Sequence, residues 1–369
     1  MHELYTLALK SLTAIGAGAV DNPHKVAVGF DGFIDIISKP ILSTDGEKQY
    51  FKTISSFGEF ISSKAALSCC IEMDTLVKKF GGNMPNYASS LSALGVHCDC
   101  IGAFGYPEVN DIFLTMGENI AITSIAEAGT CNALEFDDGK VMLADNSEIN
   151  LLDFTLLLER VGKERLVKWI ESNDAFGLFC WSELPGMTSV WRDFLAEIFP
   201  RVKFQDRKLM VIDISDCSRR SAAEIREMCD LMKAFGKYFT VVFSLNLNEC
   251  MLVSSALGKE ESITDAEEAG RIIYQAIGPQ ALVLHLLDGV MLFEGDDILF
   301  LPTKRVASPK ISTGGGDNFN AGLTLALLNG MAYGESVAVA NAVSSFYVAN
   351  GRSASFDELL SYIAEIQTS

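Results

Sequence analysis

Residues 311–322, Ile-Ser-Thr-Gly-Gly-Gly-Asp-Asn-Phe-Asn-Ala-Gly, run three glycines into an acid that opens an apolar helix. From Asp317 to Asn329 the apolar residues Phe319, Leu323, Ala326 and Leu327 fall at helical spacing, and Gly330 stands where a terminating glycine is expected. The glycines therefore lie at a helix N-terminus. There unpaired N–H groups and the helix dipole favour an anion, and the missing side chains let it reach the backbone. Gly314, Gly315 and Gly316 are the expected cradle. A carboxylate in the same turn repels a bound phosphate, so Asp317 suits a base better than a binding group. Backbone donors on a phosphoryl group, plus a base on the attacking hydroxyl, suffice for phosphoryl transfer. As a bare motif the stretch reads equally as a loop followed by an acid that complements the helix dipole.

The chain around this stretch has 369 residues, 49% hydrophobic and 21% charged, which fits one large globular domain with an elaboration, or two domains. A net charge of −19 with 29 Lys plus Arg argues against nucleic acid or an anionic membrane surface as partner. The nine cysteines contain no Cys-x-x-Cys pair. Cys69-Cys70 and Cys98-Asp99-Cys100 are too closely spaced for a zinc knuckle, so reduced thiols and a cytoplasmic location are expected. No charged segment precedes a long apolar run at the N-terminus, and no 18-residue apolar stretch occurs.

Taken in order, residues 3–17 read as a short amphipathic helix ending near Asn22-Pro23. The apolar run Val26–Phe30 is a buried strand that delivers Asp31 and Asp35 to a carboxyl edge, where open α/β sheets gather ligands. Asp31 reads equally as a turn residue before Gly32. Asp35 stands among Phe33, Ile34, Ile36 and Ile37, where an acid needs a partner. Gly81-Gly82 opens a second helix and brings backbone close to something. Part of 36–80 and residues 121–149, with a hairpin turn at 137–140, break the βα alternation and read as a small β-rich lid. Beyond them, strands near 176–181, 209–214, 239–245, 281–286 and 290–293 alternate with helices, which gives a doubly wound, mostly parallel sheet. Asn246 and Glu249 at a strand's end suit a hydrated cation and a capping box equally.

Four patches together resemble the ribokinase-like (PfkB) carbohydrate kinases. Gly81-Gly82-Asn83-Met84-Pro85-Asn86-Tyr87-Ala88 is similar to the first family signature, and Gly314–Asp317 with Phe319, Ala321 and Gly322 to the second. Asn246 and Glu249 resemble the Asn-x-x-Glu motif, and Asn341 lies where the following helix carries an Asn facing the adenine. The resemblance spans roughly 26–350. It implies a single Rossmann-like α/β kinase domain over 1–369 with a β lid, Asp317 as base, and Gly314 to Gly316 as anion hole. It also implies nucleotide contacts from Asn246, Glu249 and Asn341, and Mg²⁺ held by Glu249 through water. Asp31, Asp35, Gly82, Asn83 and Asn86 fall on the acceptor side. Ile311 and Ser312 stand where the family often has Asp-Thr, so no potassium requirement is expected.

The resulting expectation is a nucleotide-dependent kinase acting on a CH₂OH group of a small sugar, with Mg²⁺, ATP as donor and a homodimer through the lid. ADP stays open as donor, because Gly29–Asp35 is also similar to the first strand of the ADP-dependent sugar kinases. A nucleoside or polyol kinase, or an inactive ligand-binding homologue, are the rival expectations. The Gly-Lys pairs lack the following Ser or Thr of a P-loop, and no Gly-x-Gly-x-x-Gly fingerprint occurs.

Overall fold

The computed structural model describes residues 2–16, 24–44, 46–258, 265–303, 306–311 and 313–368; Asn22, Pro23 and Ser312 lie outside them. Fourteen strands occur among these residues. They are β1 Lys25–Phe30, β2 Phe33–Ser43, β3 Gln49–Tyr50, β4 Met73–Gly81, β5 His97–Gly102, β6 Ile120–Ser124, β7 Gly129–Phe136 and β8 Gly139–Asp145, then β9 Ala175–Leu178, β10 Lys208–Asp213, β11 Phe239–Asn246, β12 Ala281–His285, β13 Gly289–Glu294 and β14 Asp297–Pro302.

Nine of them form the large sheet, in the order β14-β13-β12-β11-β10-β9-β1-β5-β6. The seven from β12 to β6 are parallel, and β13 and β14 add an antiparallel edge. Continuous apolar runs suit this sheet because both its faces are covered. In β1, Val26 and Val28 enter one buried layer, with residues of the helices His2–Gly16, Asn83–Ala93, Gly315–Leu328 and Tyr333–Asn350. Ala27 and Phe30 enter the other, with the helices Lys163–Glu171, Ala222–Phe235 and Ala266–Ile277. The chain begins at β1, moves to β5 and β6 on one side, then crosses to β9 on the other. The carboxyl edge of β1 and β9 is therefore the switch point where doubly wound folds bind ligands.

The small sheet orders β3-β2-β7-β8, with β4 on the free side of β2. Its β7–β8 hairpin turns between Phe136 and Gly139, where a turn was expected. One feature differs from expectation. Residues 121–124, expected in the insertion, belong to the parallel edge strand β6 of the large sheet beside β5. Leu76 and Val77 of β4 and Met142 and Leu143 of β8 are exposed at adjacent positions, so these two strands carry no clean hydrophobic alternation. Cys69 and Cys70 are exposed, the other seven cysteines are buried, and all nine are free thiols. Among the described residues no helix is long and apolar enough to cross a membrane.

Candidate active site

The parallel strands deliver their last residues to one edge: Asp31 follows β1, Asp213 ends β10, Asn246 ends β11 and His285 ends β12. Against that edge stands the N-terminus of the helix Gly315–Leu328, capped by Gly314 at φ +92° with no side-chain cap. Its first N–H groups have no helical acceptor, and glycines leave them open to an anion.

Asp317 sits in this first turn and is 5% exposed. The Asn83 amide donates to one carboxylate oxygen at 2.9 Å and the Asn86 amide to the other at 3.1 Å. Ser215 Oγ donates to Asn83 Oδ1 at 2.9 Å, which fixes the amide's orientation with its NH₂ toward Asp317. Burial, then Asp213 and Asp31, hold the Asp317 carboxyl well above the usual carboxylate range, against the pull of the two amides. Asn83 and Asn86, expected on the acceptor side, each give an amide N–H to Asp317, and Asn86 also lines the cavity beside Tyr347.

The double glycine is explained by two acids. A Cβ at Gly82, whose φ is +98°, would lie 2.4 Å from Asp31 Oδ2, and one at Gly81 would lie 2.5 Å from Asp35 Oδ2. The two acids then part company. Asp31 is fully buried, and its Oδ1 accepts from the Met84 N–H at 3.0 Å, so it caps the helix Asn83–Ala93 from outside. Desolvation pushes its pKa up to about 7, opposed by the Met84 and Asn83 N–H groups. Asp31 thus anchors a helix through one oxygen, while its Oδ2, beneath Gly82, is buried without a hydrogen-bond partner among the described residues. Asp35 is half-buried, its pKa raised by desolvation and lowered by Lys79 and Lys140. Both Asp35 and Asp317 raise the pKa of Tyr347, mainly desolvated and pushed to about 12. That hydroxyl donates to the Thr313 carbonyl at 3.0 Å. A cavity of about 540 Å³ with a mixed lining opens beside Asn86 and Tyr347, bounded by Lys79, Asn318 and Arg352.

Asn246 and Glu249 form the capping box in full: Asn246 N–H and Nδ2 donate to the two Glu249 oxygens at 2.9 and 2.7 Å, and Glu249 N–H donates back at 2.9 Å. Yet Glu249 is 3% exposed, and its pKa is pushed up to about 8 by burial and then by Asp213. A surface cap needs no such burial. Asn341 departs from expectation. Its Nδ2 donates to Tyr5 Oη and its carbonyl accepts from Thr303 Oγ1, both at 2.9 Å, so this buried amide ties the N-terminal helix in place instead of facing an open cavity.

Sequence reasoning missed Asp213, Ser215, His285 and Asn320. Asn320 Nδ2 donates to Asp213 at 2.8 Å, and the Ser215 N–H donates to its other oxygen at 3.0 Å. The available signal for Asp213 and His285 was their position at strand ends, the same one that drew attention to Asp31, and for Asn320 its place in the first turns of the cradle helix. No Lys or Arg among the described residues forms an ion pair with Asp31, Asp213, Glu249 or Asp317. Nor do three His, Cys, Asp or Glu side chains of those residues converge as a metal-binding group.

A doubly wound sheet with a small second sheet, and a helix N-terminus carrying a buried acid at the switch point, is the build of a ribokinase-like kinase. Over residues 16–366 the sequence matches the prokaryotic ketohexokinase family. The chain belongs to that family and is a carbohydrate kinase. It is 25% identical over 342 residues to a ketohexokinase of Haloferax volcanii, covering 92% of this chain and 90% of that protein. Two solved structures superpose with a TM-score of 0.64. The ribokinase of Arabidopsis thaliana, complexed with ribose and ATP, is 14% identical over 92% of this chain and 98% of its own. A protein of E. coli assigned as ribokinase II, in complex with ATP and Mg²⁺, is 12% identical over 93% and 99%. At these identities the structures establish the shared fold.

Proposed function

We propose that the chain transfers the γ-phosphoryl group of ATP to a hydroxymethyl group of a ketohexose. The observation that carries this reading is the Asp317 carboxylate, buried in the first turn of a glycine-opened helix and held by two amides on its far side. Asp317 takes the proton of the acceptor hydroxyl as the new O–P bond forms and the bond from the γ-phosphorus to ADP breaks. The N–H groups at Gly314–Gly316 hold the phosphoryl oxygens as charge spreads over them. Asn83 and Asn86 leave the carboxylate one orientation and so position the base.

The ketohexose is supported by the family match and by the Haloferax relative; ATP and Mg²⁺ are supported by the nucleotide complexes of the structural relatives. The donor set fits Mg²⁺: hard carboxylates with raised pKa values and no cationic partner, too dispersed to ligate an ion without water. Bound with the nucleotide, Mg²⁺ supplies charge neutralisation on the phosphates. Glu249 holds its water shell and Asn246 fixes Glu249. Incubation with Mg²⁺ and a panel of ketohexoses, aldoses, polyols and nucleosides, with ATP and ADP in parallel, tests the reading. Phosphate appearing only on a nucleoside or polyol, or on nothing, overturns it.

Glu249→Gln retains an acceptor for the cap, so its melting temperature should stay close to wild type while the Mg²⁺ concentration for half-maximal rate rises. A variant that melts early with an unchanged Mg²⁺ requirement would reduce Glu249 to a cap.

Asp35 is proposed as the acceptor contact and the small sheet as the lid over it. Two sugar hydroxyls donating to one carboxylate contribute about 1.5–3 kcal/mol each, so Asp35→Ala should weaken acceptor binding at least tenfold and leave nucleotide affinity alone. Calorimetry with each ligand decides, and unchanged acceptor affinity would assign Asp35 to structure. The exposed Leu76, Val77, Met142 and Leu143 of the same sheet support a homodimer formed through it. Sedimentation as a monomer would remove that proposal.

A further inference from the structure

The phosphoryl-transfer reading leaves one group at the strand ends without a task. His285 closes β12 beside Asn246 of β11, its register partner, and its ring packs on Phe319, with centroids 5.5 Å apart. It lies against the first turn of the cradle helix: a Cβ at Gly316 would come within 3.3 Å of its Cε1 and 3.6 Å of its Nε2. Glycine at 316 thus admits the ring as well as an anion. The Nε2 nitrogen is sealed from protein-surface water and has no hydrogen-bond partner. Leaving a buried ring nitrogen unpaired is costly, and a partner arriving at the cradle would recover that cost.

What arrives is a polyanion, and the surroundings oppose it. Asp213, Asp317 and Glu249 crowd this edge with no Lys or Arg paired to them, so the unpartnered ring nitrogen of His285 beside Gly316 is the side-chain donor on hand at the first turn. Burial lowers the pKa of His285 and nearby Asp213 only opposes that shift, so the ring acts as a neutral N–H donor.

We propose that His285 is a further catalytic residue, whose Nε2–H donates a hydrogen bond to a phosphoryl oxygen held over Gly314–Gly316. No proton is transferred in this step; the bond strengthens as charge spreads over the phosphoryl oxygens. Phe319 fixes the ring plane. The inference deepens the kinase reading and rests on it.

Two variants and two readouts test it. His285→Leu removes the donor, and His285→Gln retains an amide N–H near the position of Nε2. Steady-state kinetics with MgATP and ketohexose report the reaction, while calorimetry with inorganic tripolyphosphate reports the cradle without any acceptor. His285→Leu should lower kcat roughly 10- to 100-fold, the worth of one hydrogen bond to a charged group, with acceptor KM nearly unchanged. Its tripolyphosphate binding should weaken about tenfold, and His285→Gln should recover most of both losses. Wild-type kinetics in His285→Leu would overturn the proposal. So would a His285→Gln as impaired as His285→Leu with both melting early, since that outcome leaves the ring a packing partner of Phe319. If wild type phosphorylates no sugar yet binds tripolyphosphate in a His285-dependent way, the kinase reading fails and the anion contact stands. If sugar is phosphorylated and tripolyphosphate binding ignores His285, the contact fails alone.

Discussion

Asp317→Asn lowers turnover by roughly 10²–10⁴-fold, the usual span for one general base, while nucleotide and acceptor still bind. The substitution keeps shape and removes the proton acceptor. Its effect on folding runs the other way from most active-site changes. Asn83 and Asn86 each present an NH₂ to the carboxylate, and Ser215 holds Asn83 in that orientation, so the new amide meets one donor with a donor. Against this, the variant no longer carries a buried charge raised by desolvation and by Asp213 and Asp31. Melting should therefore change little while kcat collapses. Single-turnover kinetics with calorimetry for both ligands check it, and near-normal turnover on an identified acceptor would sink the base assignment.

The second large effect is on stability. Desolvation lifts Asp31 from 3.8 to about 7 and Glu249 from 4.5 to about 8. Between the unfolded and folded values the native state holds a proton that the unfolded chain has released. Stability is then fully present below about pH 4 and falls as pH rises through the folded pKa. For Asp31 the shift of about three units corresponds to roughly 4 kcal/mol, at 1.36 kcal/mol per unit. Asp31→Asn keeps a carbonyl for the Met84 N–H and titrates nothing. It should flatten the decline between pH 5 and 8 by about 3 kcal/mol, since two of the three units fall there. Urea denaturation of both proteins at the two pH values measures this, and equal slopes would refute it. MgATP at pH 8 should restore stability through Glu249 and Asp213, and leave the part owed to Asp31.

The large sheet was legible because its strands are buried on both faces and read as unbroken apolar runs, as in Val26–Phe30 and Phe239–Leu245. The glycine cradle and Asp317 were legible because small residues at a helix start have few other uses. The small sheet was legible in outline, as a β-rich insertion with a hairpin at 137–140, but not in its strand bounds: with Leu76 and Met142 facing solvent, β4 and β8 carry no alternation to mark them. Asp31 and Asn341 show a subtler limit. A polar residue at a conspicuous position can be consumed by an internal partner, here Met84 and Tyr5, and nothing local in sequence reveals the partner. Asp213 and His285 fail for the converse reason. Asp213 meets Asn320 from 107 residues away, and His285 meets Asn246 only through the register of β11 and β12.

Phe33 and Gly81 are paired neighbours, so the main body releases β2 and receives β4 at almost one point. Everything between forms a closed excursion with a narrow neck, and β7 meets it along a single edge. Exchanging such a piece among relatives leaves two junctions, one strand edge and the contacts of Lys52, Ile54 and Phe57 with the 136–138 turn to match. If Asp35 meets the acceptor as proposed, acceptor preference would be a transplantable cassette, inherited separately from the phosphate chemistry proposed for Gly314–Asp317.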